Sequence, residues 1–184
     1  MNKVTQSLLV TGSSGLIGSE AVLFFDQSVW NVLGIDNNVR ADFFGPDADT
    51  SWNLEKLKRQ TRRFTHFPID IRSRNEILAF FRNHRPDAII HCAAQPSHDL
   101  AASRPFDDFD VNASGTLNLL EATRQHCPES PFIFLSTNKV YGDGPNFIAM
   151  TELEKRFEFA DRKYLHGIAE DFPVDQRLHS LFGA

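Results

Sequence analysis

The chain has 184 residues, of which 41% are hydrophobic and 23% are charged, and its formal net charge is −5. This length and composition favour one globular domain, and the acidic balance argues against a nucleic-acid partner, because nucleic acids bind to basic surfaces. No apolar run approaches the length of a membrane span, the N-terminus lacks a secretory signal pattern, and two cysteines do not make a disulfide framework. The sequence therefore predicts a cytoplasmic protein.

Five short apolar runs predict β-strands. They cover residues 8–12, 29–36, 64–70, 87–94 and 131–137. Because the runs are continuously apolar rather than alternating, the strands are expected to be buried on both faces, as in a parallel sheet covered by helices on both sides. Right-handed crossovers then favour a Rossmann-type, doubly wound α/β sheet with strand order 3-2-1-4-5.

Three helical patterns lie between these strands. A capping box of Ser73 and Glu76 opens the second, and the third covers residues 106–126. The apolar positions expected to form the buried faces are Ile17, Ala21 and Phe25 in the first helix, Ile77, Phe80 and Phe81 in the second, and Ala113, Leu117 and Leu120 in the third.

Two segments lack a clear pattern. Residues 37–51 predict a long loop, and loops of that length are commonly functional or mobile. Residues 143–184 are polar, with a short helix expected near residues 151–159 and too few apolar residues for a second core. We therefore expect one domain at residues 1–142, followed by a polar arm at residues 143–184.

The sequence TGSSGLIG joins the first strand to the first helix. Its glycines, Gly12, Gly15 and Gly18, have the spacing that allows a tight turn, the approach of a pyrophosphate to backbone N–H groups, and close packing of the helix on the strand. The N-terminus of the helix also favours phosphate charge. In this context the motif predicts dinucleotide binding rather than a purely structural turn.

Asp36 ends the second predicted strand. A carboxylate there can accept hydrogen bonds from the adenosine ribose hydroxyls of a dinucleotide and would repel a 2′-phosphate, which favours NAD over NADP. Arg40 nearby leaves NADP as an alternative, and Asp36 could also be a solvated turn residue.

The ends of the third and fourth strands supply further candidates, because ligands of doubly wound sheets bind at the carboxyl ends of the strands. Asp70 and Ile71 could border an adenine ring, although a simple loop is an equal alternative. Small Ala93 and Ala94, in HCAAQPS, would let a cofactor pass close to the sheet.

Thr137, at the end of the fifth strand, offers a hydroxyl that could hold a substrate oxygen, or it could be an ordinary strand threonine. His91 is expected to be a hydrogen-bonded residue at a strand end. None of the seven histidines has the HExxH spacing of a zinc site, and no metal ion is expected.

Several motifs together resemble one family. TGSSGLIG, DIR, HCAAQPS, NASGTLNLLEA and STNKVYGD have the order and spacing found in extended short-chain dehydrogenases/reductases, which include the NAD-dependent epimerases and dehydratases of nucleotide sugars. Within this family, STNKVYGD, NNVRADFFGPDADTSWN and DQRLHSLFGA are most similar to the CDP-paratose 2-epimerase branch. The resemblance covers essentially the whole chain.

The resemblance implies NAD as the cofactor, a nucleotide sugar (a CDP-sugar in this branch) as the substrate, and epimerisation by transient oxidation and re-reduction at a sugar carbon. It also implies that Thr137 holds the reacting oxygen, and that the full-length protein could pair as a homodimer through helices beside the sheet. The cofactor positions carried over are Gly12, Ser14, Gly15, Leu16, Ile17, Gly18, Asp36, Asn37, Asn38, Arg40, Asp70, Ile71, Ala93, Ala94, Gln95 and Asn112.

The family also carries a Tyr-x-x-x-Lys motif, whose tyrosine is the catalytic base. Phe182 stands at the tyrosine position here, and a phenyl ring has no proton to exchange. The chain ends before the lysine, so we expect an N-terminal fragment, inactive alone and truncated before the catalytic helix and the substrate subdomain. Tyr164, between basic residues, is a weak candidate for a substitute base. A catalytically inactive NAD-binding module remains the alternative.

Overall fold

The computed structural model describes residues 6–174, apart from the side chains of Asn138 and Lys139. The chain forms two compact units, which divide between Leu135 and Ser136. This division lies earlier than the boundary expected after Gly142.

A five-stranded parallel sheet forms the centre of the first unit, and its strands, counted along the chain, lie in the order 3-2-1-4-5. The predicted fold class and strand order are therefore confirmed. The last four strands are shorter than their apolar runs, because the ends of these runs turn out of the sheet, and the first strand is as long as its run but begins one residue earlier. The strands are β1 (Ser7–Thr11), β2 (Asn31–Ile35), β3 (Phe64–Phe67), β4 (Ala88–His91) and β5 (Phe132–Phe134).

Helices connect these strands. A π-helical turn, Asp110–Ser114, joins the last two helices of the first unit, so the predicted helix at residues 106–126 is helical throughout but widens in its middle. The helices are α1 (Leu16–Gln27), α2 (Val39–Phe44), α3 (Ser51–Gln60), α4 (Arg74–His84), α5 (His98–Ser103), α6 (Pro105–Phe109) and α7 (Gly115–His126).

The three central strands of the sheet are largely buried on both faces, as their apolar runs predicted, whereas Ile133 and Phe134 of the edge strand β5 are exposed. Leu8 and Val10 of β1 belong to one core cluster and Leu9 belongs to another, because successive side chains of a strand point to opposite faces. The first cluster includes Val22 of α1 and Leu57 of α3. The second includes residues from α4 and α7.

The prediction of a long loop at residues 37–51 is wrong. It contains α2 and a 3-10 turn at Pro46–Ala48, and α3 begins at Ser51. Sequence reasoning missed α3 because this helix buries only Asn53 and Leu57, too few side chains to give an apolar periodicity.

The predicted buried face is correct for α4, correct in part for α1, whose Ala21 and Phe25 pack against the core, and wrong for α7. Ile17 is 57% exposed and Leu117 is 62% exposed, and Leu120 is also exposed. The sheet-facing positions of α1 and α7 are instead occupied largely by small or polar residues, which an apolar pattern cannot identify. In α4, Ser73 is the N-cap residue, but its side chain makes no capping hydrogen bond, so the predicted capping box is not formed.

The second unit contains a β-hairpin where a short helix was predicted. Strands β6 (Met150–Glu152) and β7 (Phe157–Phe159) pair antiparallel, and the Leu153 N–H donates to the Arg156 carbonyl across the turn. In β7, two phenylalanines flank a glutamate, a period of two that favours a strand over a helix.

Three 3-10 turns accompany this hairpin, and they span Asn138–Tyr141, Gly144–Phe147 and Arg162–Tyr164. No helix within residues 6–174 is long and apolar enough to cross a membrane.

Candidate functional site

A cleft of about 360 Å³ opens beyond the carboxyl ends of the central strands. Most of the positions predicted to bind a cofactor line this cleft. Those that line it are Gly12, Gly15, Leu16, Ile17, Gly18, Asp36, Asn37, Arg40, Asp70, Ile71, Ala93 and Ala94. Four other predicted positions lie beside the cleft and stabilise its walls. They are Ser14, Asn38, Gln95 and Asn112.

Two glycines of the glycine-rich loop have no room for a side chain. Gly12 has a φ of +65°, and a Cβ atom added to it would lie 2.8 Å from the backbone nitrogen of Ala93. A Cβ atom on Gly18 would lie 2.1 Å from the carbonyl oxygen of Gly12. Only glycine therefore allows the loop to approach both α1 and the strand beside it.

Two large apolar side chains at the start of α1 are left open to the cleft. Leu16 is 82% exposed and Ile17 is 57% exposed, although both line a concave surface. The N–H groups of the first helical turn have no partner within a helix, and the helix dipole favours negative charge there. The cleft thus suits a ligand that has both an anionic group and apolar surface.

Two backbone N–H groups orient the Asp36 carboxylate. Ser14 donates to Oδ2 at 2.9 Å and Asn38 donates to Oδ1 at 2.8 Å. A carboxylate has about four lone-pair sites, so Asp36 keeps acceptor capacity for ligand hydroxyls in the cleft. Ser14 and Asn38 therefore support the predicted acceptor.

Asn38 also folds the segment after β2 onto itself. The backbone of Asn38 is left-handed, with a φ of +57°. Its side-chain oxygen accepts hydrogen bonds from the N–H and the hydroxyl of Thr50, both at 3.0 Å, and its amide donates to Asp49 at 2.9 Å. These bonds explain why the segment is ordered rather than an open loop.

Asn53 of α3 is a supporting residue that sequence reasoning missed. Its side-chain amide, on a residue only 6% exposed, donates to the carbonyl oxygen of Ser14 at 2.9 Å. The partner lies 39 positions away in the chain, and no local sequence signal could have identified it. Asn53 thereby attaches α3 to the glycine-rich loop.

Replacement of Asn53 by alanine is expected to lower the free energy of unfolding by about 1–3 kcal/mol, because it leaves the Ser14 carbonyl buried without a partner. Urea denaturation of the variant and the wild type measures this loss. Arg59→Ala, at an exposed position of the same helix, is the matched control and should change stability by less than about 0.5 kcal/mol. Equal stability of the two variants would contradict the structural role of Asn53.

Asp70 reaches the cleft as an ionised, arginine-paired carboxylate. Burial alone would raise the pKa of Asp70, but the hydrogen bonds and charge of Arg72 outweigh it and hold this pKa below its usual value. Arg72 donates from Nη2 to Oδ2 at 2.6 Å and from its backbone N–H to Oδ1 at 2.8 Å.

Gln95 and Asn112 fix the loop that follows β4. Asn112, in the π-helical turn, accepts from the Gln95 N–H at 2.9 Å and donates to the Gln95 carbonyl at 3.0 Å. The Gln95 amide donates to Ser97 and to Asp108, so its side chain is used within the protein. Both residues position the loop rather than line the cleft.

His91 is the buried, hydrogen-bonded strand residue that the sequence predicted. Its Nδ1 lies 2.6 Å from the Thr11 hydroxyl and its Nε2 lies 2.9 Å from the Thr116 hydroxyl. Burial lowers the pKa of His91 to about 4, so the ring is neutral at pH 7. Within residues 6–174, no group of three or more His, Cys, Asp or Glu side chains is arranged to hold a metal ion.

Two of the predicted catalytic residues, Thr137 and Tyr164, belong to the second unit. The Thr137 carbonyl accepts the N–H of Val140 at 3.3 Å. The ring of Tyr164 packs against Phe159 and Phe172, with centroids 5.7 and 5.9 Å away. Phe182 lies outside the described residues.

A family model matches residues 8–165, and its description is "NAD dependent epimerase/dehydratase family". The chain belongs to this family. NAD is the cofactor of the family, in agreement with the prediction from Asp36 and the glycine-rich loop. The predicted resemblance is therefore confirmed at the level of the family.

Similar proteins within the family act on nucleotide sugars. A CDP-paratose 2-epimerase of Salmonella typhi is 34% identical over 96% of this chain and 48% of its own length. A UDP-glucose 4-epimerase of Drosophila melanogaster is 30% identical over 79% of this chain and 41% of its own length. The chain thus spans less than half the length of each of these relatives.

Solved structures of the family share the fold. The UDP-glucose 4-epimerase of Thermus thermophilus, solved as a complex with NAD, superimposes with a TM-score of 0.65 and 28% identity, over 97% of this chain and 46% of that one. The UDP-glucose-4-epimerase of Stenotrophomonas maltophila, with bound NAD and formylated UDP-arabinopyranose, gives a TM-score of 0.63 and 32% identity, over 74% and 38% of the two chains.

Proposed function

We propose that this chain is the NAD-binding part of a nucleotide-sugar epimerase that acts by transient oxidation and re-reduction at a sugar carbon. The observation that carries the proposal is the Asp36 carboxylate, held by two backbone N–H groups at the rim of a cleft floored by the glycine-rich loop. A cleft of this form fits a dinucleotide, because the ribose finds an acceptor and the pyrophosphate finds a helix N-terminus.

The residues of the cleft bind and orient the cofactor. Gly12 and Gly18 let the backbone come close to the pyrophosphate, and Leu16 and Ile17 offer apolar surface that excludes water. Asp70, fixed by Arg72, borders the far wall with Ile71. When bound, NAD supplies the capacity to accept a hydride and return it.

Thr137 is proposed to hold the reacting oxygen of the substrate. Its hydroxyl can donate to an alkoxide or a carbonyl oxygen, which stabilises the charge that develops there. The resemblance of STNKVYGD to the epimerases supports this role. Tyr164 remains a weaker candidate for the base.

The proposed substrate is a CDP-sugar, and the proposed reaction is that of a CDP-paratose 2-epimerase. The identity to the Salmonella typhi protein over almost the whole chain supports this choice. Turnover of CDP-paratose by a protein that carries this chain within a full family-length sequence tests it. Product from a UDP-hexose instead of CDP-paratose would replace the CDP-sugar with another nucleotide sugar.

A second candidate function is a catalytically inactive NAD-binding module. The observation that favours it is Phe182 at the family tyrosine position, because a phenyl ring cannot act as a base. Restoration of turnover by Phe182→Tyr in the full-length protein would show that the loss of the base is the cause. NAD binding without turnover in both forms would support the module.

We also propose that the full-length protein is a cytoplasmic homodimer. The exposed apolar side chains of α6 and α7 support a partner surface there, since such residues rarely cluster on a monomer without a role. They are Phe106, Phe109, Leu117 and Leu120. Light scattering of the full-length protein measures its mass in solution.

Asp36→Asn is expected to weaken NAD binding about tenfold, because hydrogen bonds to a charged acceptor contribute about 1.5–3 kcal/mol. It should also narrow the preference for NAD over NADP, since the 2′-phosphate no longer meets a negative charge. Calorimetric titration of the 184-residue chain with each dinucleotide measures both effects. Asp42→Asn, which removes an exposed carboxylate of α2, is the matched control. Unchanged NAD affinity would mean that Asp36 is only a turn residue.

A further inference from the structure

A second, smaller cavity of about 160 Å³ adjoins the cofactor cleft. Asp36, Asn37 and Thr50 line both cavities, so the two share a wall that includes the carboxylate. The remaining lining residues of the small cavity are Ser14, Asn38, Ser51, Leu54, His66 and Pro68.

His66 reaches this cavity from the neighbouring strand. It pairs with Gly34 in the parallel register of β2 and β3. Asp36 follows Gly34 by two positions, and side chains two positions apart lie on the same face of a strand. The imidazole of His66 and the carboxylate of Asp36 therefore lie on the same side of the sheet, and both border the small cavity.

Two of the residues that line the cavity have a buried polar side-chain atom without a hydrogen-bond partner among the described residues. These atoms are the hydroxyl oxygen of Ser14, a residue only 3% exposed, and Nδ1 of His66. Buried polar atoms are nearly always paired, so the cavity suits an occupant that makes hydrogen bonds. A phosphate group, with its several acceptor oxygens, could accept from the Ser14 hydroxyl.

The charge of the cavity is unfavourable for such a group. Its described lining contains the Asp36 carboxylate and neither lysine nor arginine. Burial lowers the pKa of His66, although the Asp36 carboxylate acts in the opposite direction, so the imidazole is neutral at pH 7. The charge of Lys58 also lowers the pKa of His66, but Lys58 is paired with Glu55 at 2.8 Å and does not line the cavity. A phosphate in the cavity would therefore face the Asp36 charge with no cation among the lining residues.

We propose that the 2′-phosphate of NADP would have to lie in this cavity, and that position 66, which holds an uncharged histidine rather than a cation, leaves the repulsion from Asp36 uncompensated and so contributes to the selection of NAD over NADP. In this proposal, a ribose bound at Asp36 has its 2′-oxygen at the wall that the two cavities share. The space is present, so the selection is electrostatic rather than steric, and it depends on the lack of a positive charge at position 66. This inference rests on the proposed binding of NAD.

His66→Arg tests the proposal, because it puts a cation against the cavity. Calorimetric titration of the chain should show that NADP binds about tenfold more tightly to this variant than to the wild type, while NAD affinity changes less. The double variant Asp36→Asn with His66→Arg should favour NADP further, since it removes the repulsion and adds the attraction.

Thr65→Arg is the matched control. Thr65 is exposed and adjacent to His66 on β3, so its side chain points to the other face of the strand and adds the same charge away from the cavity. Equal NADP affinity of the two arginine variants would overturn the proposal. Circular dichroism checks the fold of each variant. If His66→Arg does not fold, Ser51→Arg places a cation at the exposed rim of the same cavity, and the same two outcomes apply.

The titration also separates this inference from the function on which it rests. A wild-type chain that binds neither dinucleotide would overturn both the NAD-binding proposal and the role of His66. A wild-type chain that binds NAD, with no gain of NADP affinity in His66→Arg or Ser51→Arg, would overturn only the role of His66.

Discussion

Replacement of Gly18 by alanine is expected to lower the free energy of unfolding by about 3 kcal/mol or more and to abolish NAD binding. The new Cβ atom would lie 2.1 Å from the carbonyl oxygen and 2.8 Å from the carbonyl carbon of Gly12. These are backbone atoms, so the clash is relieved only if α1 moves away from the glycine-rich loop. Denaturant titration and NAD calorimetry measure the two losses.

The direction of the change in stability distinguishes a crowded helix position from an uncrowded one. Alanine in a helix is normally favoured over glycine by about 1 kcal/mol, so an uncrowded position would be stabilised by the same change. Gly115→Ala, also in the first turn of a helix, is the matched control. Its Cβ atom would meet the Cδ1 and Cγ1 atoms of the Ile71 side chain, at 2.7 and 2.8 Å, and a side chain can shift further than a backbone carbonyl. We expect a loss of about 1–2 kcal/mol in that variant, smaller than the loss in Gly18→Ala. Similar losses in both variants would mean that the backbone contact of Gly18 is not the cause.

Acidification is expected to destabilise the protein through His91. The pKa of His91 is about 4 in the folded chain, against an ordinary value near 6.5 when unfolded. As the pH falls, His91 is therefore protonated in the unfolded chain before it is protonated in the folded chain. The contribution of the neutral ring is complete above about pH 6.5 and is lost progressively down to about pH 4. This loss amounts to about 2 kcal/mol by pH 5 and about 3 kcal/mol by pH 4.

Urea denaturation at about pH 7.5 and about pH 5 of the wild type and of His91→Gln isolates this contribution. Glutamine can hydrogen-bond to Thr11 and Thr116 but does not titrate, while every other ionisable group is common to both proteins. Between the two pH values, the wild type should lose about 2 kcal/mol more of its free energy of unfolding than the variant does. An identical pH dependence of the two proteins would show that the buried ring does not govern acid stability.

Local patterns accounted for the centre of this fold. Each strand of the sheet was predicted from an apolar run, and the candidate cofactor cleft from Gly12, Gly15, Gly18 and Asp36. These signals are local because burial on both faces imposes a continuous apolar run, and a tight strand-to-helix turn imposes glycine at set positions. The same logic failed for residues 151–159, where a polar turn between two short strands concealed a hairpin.

The sequence by itself determined the sheet, its strand order, the cofactor and the carboxylate proposed to accept from the ribose hydroxyls. Only the tertiary structure decided which residues hold that carboxylate and what lies beside it. Ser14 meets Asp36 across 22 positions, and Asn53 meets Ser14 across 39. His66 reaches the cavity beside Asp36 through strand register. Contacts of this kind form when distant segments pack together, and the residues that make them carry no periodicity of their own, so the chain does not reveal them before it folds.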